Sequence, residues 1–182
     1  ESGWFQELGF GFKKAKTRHV FTADITAFNR DIENWILWKQ LPGDAYWSAV
    51  NVKNVRSYGA ELNLKLTHLL GNFTWTHQGN ATFVRSINIA GSEESAADGK
   101  QLIYTPQWVF AASETVAYKG FGLRVLGYFE SERFVTSDNK KSLDPYFTLD
   151  VEINKDIQIK SQTLGLFAAA RNVLDAEYRL KA

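Results

Sequence analysis

The chain of 182 residues contains no cysteine. That removes disulfides, thiolate metal sites and cysteine nucleophiles, and it leaves the redox compartment open. Net charge is nearly absent too, at a formal +1, and no basic stripe interrupts the sequence. There is therefore no case for nucleic acid as a partner. No run approaches the roughly 18 consecutive apolar residues of a transmembrane helix, and mean hydropathy is slightly negative at −0.28. No stretch carries helical periodicity. There is no leader at residue 1; the chain opens in mid-pattern with ESGWFQELGFGF, which leads to the expectation of a piece of a longer protein.

What is present is alternation. Residues 51–66 read NVKNVRSYGAELNLKL. From Tyr58 on, Tyr58, Ala60, Leu62, Leu64 and Leu66 fall on one side, and Gly59, Glu61, Asn63 and Lys65 on the other. A period of two is a β-strand with one apolar and one wet face. In a soluble sandwich the apolar face would meet a second sheet. In a membrane barrel it would meet lipid, and the polar face would line a lumen.

The pattern recurs along the chain. Trp4, Leu8, Phe10 and Phe12 oppose Phe5, Glu7, Gly9 and Gly11; Phe21, Ala23, Ile25 and Ala27 oppose Thr22, Asp24 and Thr26. Residues 18–38 read as one long strand with a bulge near 30–33. Phe73, Trp75 and His77 alternate with Thr74, Thr76 and Gln78. Trp108, Phe110, Ala112, Val116 and Tyr118 share a face, with Glu114 as the exception. Phe147, Leu149, Val151 and Ile153 oppose Tyr146, Thr148, Asp150 and Glu152. A last segment, 164–172, follows a turn near 156–162. The expectation is eight strands, joined by short turns at 14–17, 68–72, 119–121 and 156–162, and by long polar loops at 39–50, 85–104 and 131–144.

Strict alternation of short and long connections has a physical cause in a membrane barrel, where each side of the membrane collects one kind. A soluble sandwich has no reason to sort loops by parity. The expected strands, about 10 to 14 residues long, exceed the typical length of about 5–6 in soluble sheets and suit the roughly 9–11 tilted residues that cross a bilayer. The expected fold is all-β: a segment of an antiparallel up-and-down transmembrane β-barrel.

Four stretches carry a resemblance to the C-terminal part of the barrel of TonB-dependent outer-membrane receptors. They are ESGWFQELGFGFK, FTADITAFNRDIENWI, NVKNVRSYGAELNLKL with Asn51, Gly59 and Glu61 in place, and RNVLDAEY with Asn172, Asp175 and Tyr178. Their order and spacing fit from end to end, and WILWKQLPGDAYW looks most like the vitamin B12 and siderophore branch. The resemblance implies a barrel of about 22 strands with a plugged lumen, of which residues 1–182 supply strands 14 to 21, without the plug or the last strand. It implies an outer-membrane receptor, not an enzyme, that imports a large scarce nutrient, cobalamin or a ferric siderophore, with energy from TonB. Partners on this reading are the lipid bilayer with its lipopolysaccharide, the remainder of the barrel and its plug, TonB through that plug, and a surface lipoprotein. The alternatives are a passive porin or structural barrel, and a soluble β-sandwich binding module.

Site expectations follow. Trp35, Trp38, Tyr46 and Trp47 border the first long loop and are candidates to stack on a flat, large ligand. Asp24, Glu61, Lys65, Arg124, Asp150 and Glu152 are candidates to line the lumen, where the plain alternative is that any wet interior needs polar residues. The aromatics Trp4, Trp38, Trp47, Tyr58, Trp75, Trp108 and Tyr118 are candidates for interfacial girdles. His19, His68 and His77 lack metal-ligand spacing and read as chance surface or interface positions. No catalytic residue, metal site or cofactor is expected: Gly9 and Gly11 sit inside a strand rather than a phosphate loop, and the acidic loop residues lack calcium-loop spacing.

Overall fold

The computed structural model describes residues 2–40, 43–89 and 97–179; the side chains at 35, 37, 39 and 50–53 lie outside that description. The strands are β1 (Ser2–Lys16), β2 (His19–Gln40), β3 (Trp47–Leu70), β4 (Phe73–Asn88), β5 (Trp108–Tyr118), β6 (Phe121–Glu130), β7 (Arg133–Phe134), β8 (Ser142–Leu143), β9 (Tyr146–Ile159) and β10 (Gln162–Ala170). Eight of them form one sheet in the order β1-β2-β3-β4-β5-β6-β9-β10, and β7 pairs with β8 in a separate ribbon. Every neighbour in the large sheet is antiparallel. This is an up-and-down meander, the arrangement expected from the alternating connections.

The turns at one end are tight. Lys119 and Gly120 both take positive φ, 45° and 73°, which is the geometry whose twist matches two-residue hairpins. The ladders are continuous, so residues fall into rows across the sheet. One row runs Lys16, His19, His68, Trp75, Val116, Leu123, Ile153. The row begins at the tip of the first hairpin, because Lys16 pairs with His19. It ends well inside the last one, which closes at Ile159 and Gln162. Residue 159 lies six positions beyond 153, so the first and last hairpin tips are staggered along the strands. The step is uneven, since the β3–β4 and β5–β6 tips share a row, but an overall stagger of this kind is what closing a barrel of tilted strands requires.

Three expectations are corrected by the register. Glu33 pairs with Asn54 and Trp35 with Val52, the same stagger as His19 with His68. Hence β2 has no bulge at 30–33; its irregularity is Asn34, at a φ of 58°. Half of the expected loop 39–50 is strand, since the β2–β3 ladder reaches Gln40 and Trp47. The hairpin extends because Trp35 to Trp38 and Trp47 to Val50 offer β-favouring residues on both arms. Loop 131–144 is not featureless either, as it contains the β7–β8 ribbon.

Residue Gly59 shows why the third motif needs glycine. A Cβ there would lie 2.0 Å from the Phe83 carbonyl oxygen and 2.9 Å from Phe28 Cζ. Phe28, Gly59 and Val84 are cross-strand neighbours, and the ring of Phe28 occupies the space that a side chain at 59 would take.

The sheet has two unlike faces. On one lie Leu8, Phe10, Phe12, Ile25, Leu62, Leu64, Phe110, Phe129, Phe147 and Leu149. No second layer of the described residues covers them: Leu8 is 80% exposed and Phe10 68%. Among the described residues the buried hydrophobics are Val55, Ala97 and Leu102, all toward the long-loop end. A soluble sandwich would bury Leu62, Leu64, Phe147 and Leu149 against a partner sheet. This chain leaves them open, and that continuous apolar surface needs an apolar environment from outside.

Candidate functional site

The polar face and the long-loop end carry the chemistry. On the polar face, Thr22, Asp24, Asn63, Lys65, Gln78, Asn80, Ser113 and Arg124 line one shallow groove crossing β2 to β6. The register explains the grouping. Asp24 faces Asn63 and then Asn80, while Thr22, Lys65, Gln78 and Ser113 form the next row. Strand alternation alone sends these polar side chains to one side.

Next to the groove is an ion cluster. Arg171 Nη1 donates to Asp150 Oδ2 at 3.0 Å, and Arg171 Nη2 lies 2.6 Å from Glu152 Oε1. Arg124 Nη1 lies 3.6 Å from Glu152 Oε2. The two carboxylates hold the Arg171 guanidinium above its already high ordinary value. Of the six polar-face candidates, Arg124 and Glu152 thus meet directly, Asp150 joins Glu152 through Arg171, Asp24 and Lys65 share the groove with Arg124, and Glu61 stands apart. Glu61 lies in the row Thr26, Glu61, Thr82, Val109, Glu130, Tyr146. Arg171 falls inside the expected segment 164–172 without being singled out, and in the structure it sits just past the end of β10; its shared parity with Ala169, the partner of Glu152, is the signal that points to it.

At the long-loop end a buried polar cluster closes the strands. Glu130 Oε2 accepts from Tyr128 Oη at 2.8 Å and Tyr146 Oη at 3.0 Å. Arg133 Nε lies 2.9 Å from Glu130 Oε1, with both side chains nearly buried. Further hydrogen bonds offset the desolvation of a buried pair, and Arg133 Nη2 donates to the Arg179 carbonyl at 2.6 Å. Tyr178 stacks on Tyr146 at 4.6 Å. The closing motif is therefore a built turn. Asn172 accepts from the Ala176 amide and donates to the Ala176 carbonyl, both at 3.0 Å, and its own amide donates to Asp150 at 2.8 Å.

Two long connections are stitched together. The Asn139 amide group donates to the Gln101 carbonyl and accepts from the Gln101 N–H, both at 2.9 Å. Gln101 is buried and also accepts from the Ser86 N–H at 3.1 Å. Asp138 accepts from the Thr136 hydroxyl at 2.7 Å and the Lys140 N–H at 3.1 Å; these donors hold its carboxyl below the usual range. Among the described residues, the two connections thus meet at Gln101 and Asn139.

The aromatic candidates sit at the tip of the β2–β3 hairpin. Trp38 is 63% exposed and Tyr46 66%. Trp47 meets Tyr104 at 6.0 Å between ring centroids, which ties this hairpin to the second long connection. Trp35 lies on β2, and its side chain is outside the described residues. Among the girdle candidates, Trp75 and Tyr118 lie toward the tight-turn end. Trp108 lies toward the long-loop end, its ring centroid 4.7 Å from that of Phe83 and 5.6 Å from that of Phe110. The three histidines, expected only as chance surface or interface positions, converge. His19 Nδ1 is 2.8 Å from His68 Nδ1, and the His68 and His77 rings are 5.2 Å apart. Among the described residues, no group of three or more His, Cys, Asp or Glu could hold a metal ion.

Comparison with known proteins agrees with this arrangement. The ferric yersiniabactin uptake receptor FyuA from Yersinia pestis has a similar fold, with a TM-score of 0.64 at 16% identity. The match covers 98% of this chain and 26% of that one, so the present chain spans about a quarter of that receptor's length. No curated protein matches the sequence. The family described as TonB dependent receptor-like, beta-barrel, matches residues 1–173. It is a family of outer-membrane receptors and transporters rather than enzymes, and over nearly its whole length this chain belongs to it.

Proposed function

We propose that the chain supplies part of the wall and the external loops of an outer-membrane transporter that imports a ferric siderophore. The open apolar face lies against acyl chains, the polar face lines the lumen, and the tight turns face the periplasm. In this reading the eight strands are strands 14 to 21 of about 22. β1 and β10 pair with the rest of the barrel, since an unpaired strand edge inside a membrane leaves backbone groups unsatisfied. A plug fills the lumen and TonB acts through it. The observation that carries the reading is the eight-stranded meander with an apolar face that none of the described residues covers. The likeness to a siderophore uptake receptor favours an iron chelate over cobalamin.

Binding falls to the external end. Trp38, Tyr46 and Trp47 offer large, rigid aromatic area at low entropic cost, the residue types that dominate binding hot spots. The stitched loops hold that surface in place before a ligand arrives, which lowers the cost of binding. Asp24, Lys65, Arg124, Asp150 and Glu152 then face the plug or the substrate path.

The test is equilibrium binding and cellular uptake by the full-length receptor, using ferric siderophores and cobalamin side by side. A ferric siderophore should bind, and its uptake should require TonB. Replacing Trp38, Tyr46 and Trp47 by alanine should weaken binding about tenfold or more. Binding of cobalamin alone would reassign the branch, and uptake independent of TonB would replace active transport with a passive barrel.

A further inference from the structure

Beside the tight turns of β1 to β4 the apolar face becomes polar, and this patch holds all three histidines of the chain. Lys16, His19, His68 and Trp75 occupy one row on β1 to β4, and Lys14, Phe21, Leu66, His77 and Glu114 the next row on β1 to β5. Both rows share parity with Ile25, Leu62 and Leu64, so the cluster belongs to the apolar face and not to the groove on the other side. It lies beside the tight turns.

The cluster is ordered from one side. Trp75 Nε1 donates to Glu114 Oε2 at 2.7 Å, and His77 Nδ1 lies 2.9 Å from Glu114 Oε1. The His77 ring stands edge-on to His68, and His68 stands edge-on to His19 at 4.9 Å between ring centroids. Glu114, the one apolar-face exception that alternation marks on β5, thus positions a file of rings running to β2. Beyond His19 the charge is all positive: residues 13–19 read KKAKTRH, with no acid. The one carboxylate in the two rows is already engaged by Trp75 and His77.

We propose that this patch is a site for the phosphodiester of an anionic phospholipid in the leaflet at the tight-turn end. The proposal rests on the reading above that the apolar face lies in the bilayer. A phosphate at the hydrocarbon boundary is purely an acceptor, and the patch offers the matching donors: two ammonium groups from Lys14 and Lys16, and imidazole N–H groups. The His19–His68 contact places two Nδ1 atoms 2.8 Å apart. In that contact one ring donates and the other accepts. An anionic oxygen seated over the pair instead accepts from both. Such contacts gain strength in the low dielectric beside acyl chains. Trp75 fixes the depth, since indole rings prefer the headgroup boundary.

Headgroup selectivity tests the proposal. The full-length receptor, purified in detergent and stripped of lipid, is titrated with phosphatidylglycerol or phosphatidylcholine, and bound lipid is counted by native mass spectrometry. Phosphatidylglycerol should be retained about tenfold better than phosphatidylcholine, because each basic side chain near the surface adds to the attraction for anionic headgroups. The pair Lys14→Gln with Lys16→Gln, and separately the pair His19→Gln with His68→Gln, should each bring it down to the phosphatidylcholine level. The pair Lys140→Gln with Lys141→Gln, in the loop between β7 and β8, should leave the preference intact. A wild-type receptor without the preference, or a preference that survives both double substitutions at the patch, overturns the proposal. A receptor that folds as a monodisperse protein without detergent would overturn the bilayer reading itself, before any headgroup is compared.

Discussion

Tyr178 stacks on Tyr146 with ring centroids 4.6 Å apart and planes 12° from parallel. The two are 32 positions apart in sequence, and their contact brings the segment after β10 back onto the end of β9. Asn172 sets up that return. It takes a φ of 48°, a conformation that asparagine tolerates better than other non-glycine residues, and its side chain bonds both ways to Ala176. Asn172→Ala should lower the local stability of residues 173–178 by about 2 kcal/mol, from the lost hydrogen bonds and the unfavourable φ. Hydrogen exchange of those amides should accelerate accordingly; unchanged protection would mean that the stack alone holds the segment.

Glu130 is the acceptor on which Tyr128, Tyr146 and Arg133 converge. Glu130→Gln keeps the shape but leaves the buried Arg133 cation without its counter-charge. Breaking one side of a buried pair costs about 3–5 kcal/mol. The variant should unfold from the long-loop end at lower denaturant. Restoring stability by adding Arg133→Met would assign the loss to the stranded charge.

Gly59→Ala should prevent correct barrel assembly rather than merely weaken it. The added Cβ meets the Phe83 carbonyl oxygen, which is backbone and shifts only with the ladder. The heat-modifiable band of the folded receptor on a gel should disappear. Adding Phe28→Ala should not rescue it, because the closer clash is with the carbonyl.

Asp138 links the order of its loop to pH. Its carboxylate accepts from Thr136 and from the Lys140 amide, so its folded value is depressed. The stabilisation is therefore present above the unfolded value near 3.9 and is lost as pH falls through the depressed folded value. The Lys140 amide resonance should titrate below the ordinary carboxylate range; a midpoint at or above about 3.9 would remove this role.

Much of the fold was legible because a strand writes its faces directly into odd and even positions. Leu62, Leu64 and Glu61, Lys65 are separated by alternation alone, and the parity of loop lengths gave the meander. Register was not legible. Nothing local in the sequence says that His19, His68 and His77 meet, since their rows are set by the tight turns and by the stepping of the hairpin tips. The 39–50 segment misled for a related reason: Pro42, Gly43 and Asp44 mark a turn, but the length of ladder around it depends on pairing between Gln40 and Trp47. Arg171 and Glu130 were missed because their roles come from partners at strand ends, where alternation stops.

The central claim is that the two faces of this sheet meet different solvents, lipid on one and an aqueous interior on the other. The chain has no cysteine, so single cysteines introduced at 61 to 66 in turn can each carry a nitroxide label in the full-length receptor reconstituted in bilayers. Labels at positions 62, 64 and 66 should be accessible to oxygen and shielded from a water-soluble nickel chelate, and labels at 61, 63 and 65 should show the reverse. Equal accessibility of the two sets to the nickel chelate would contradict the account.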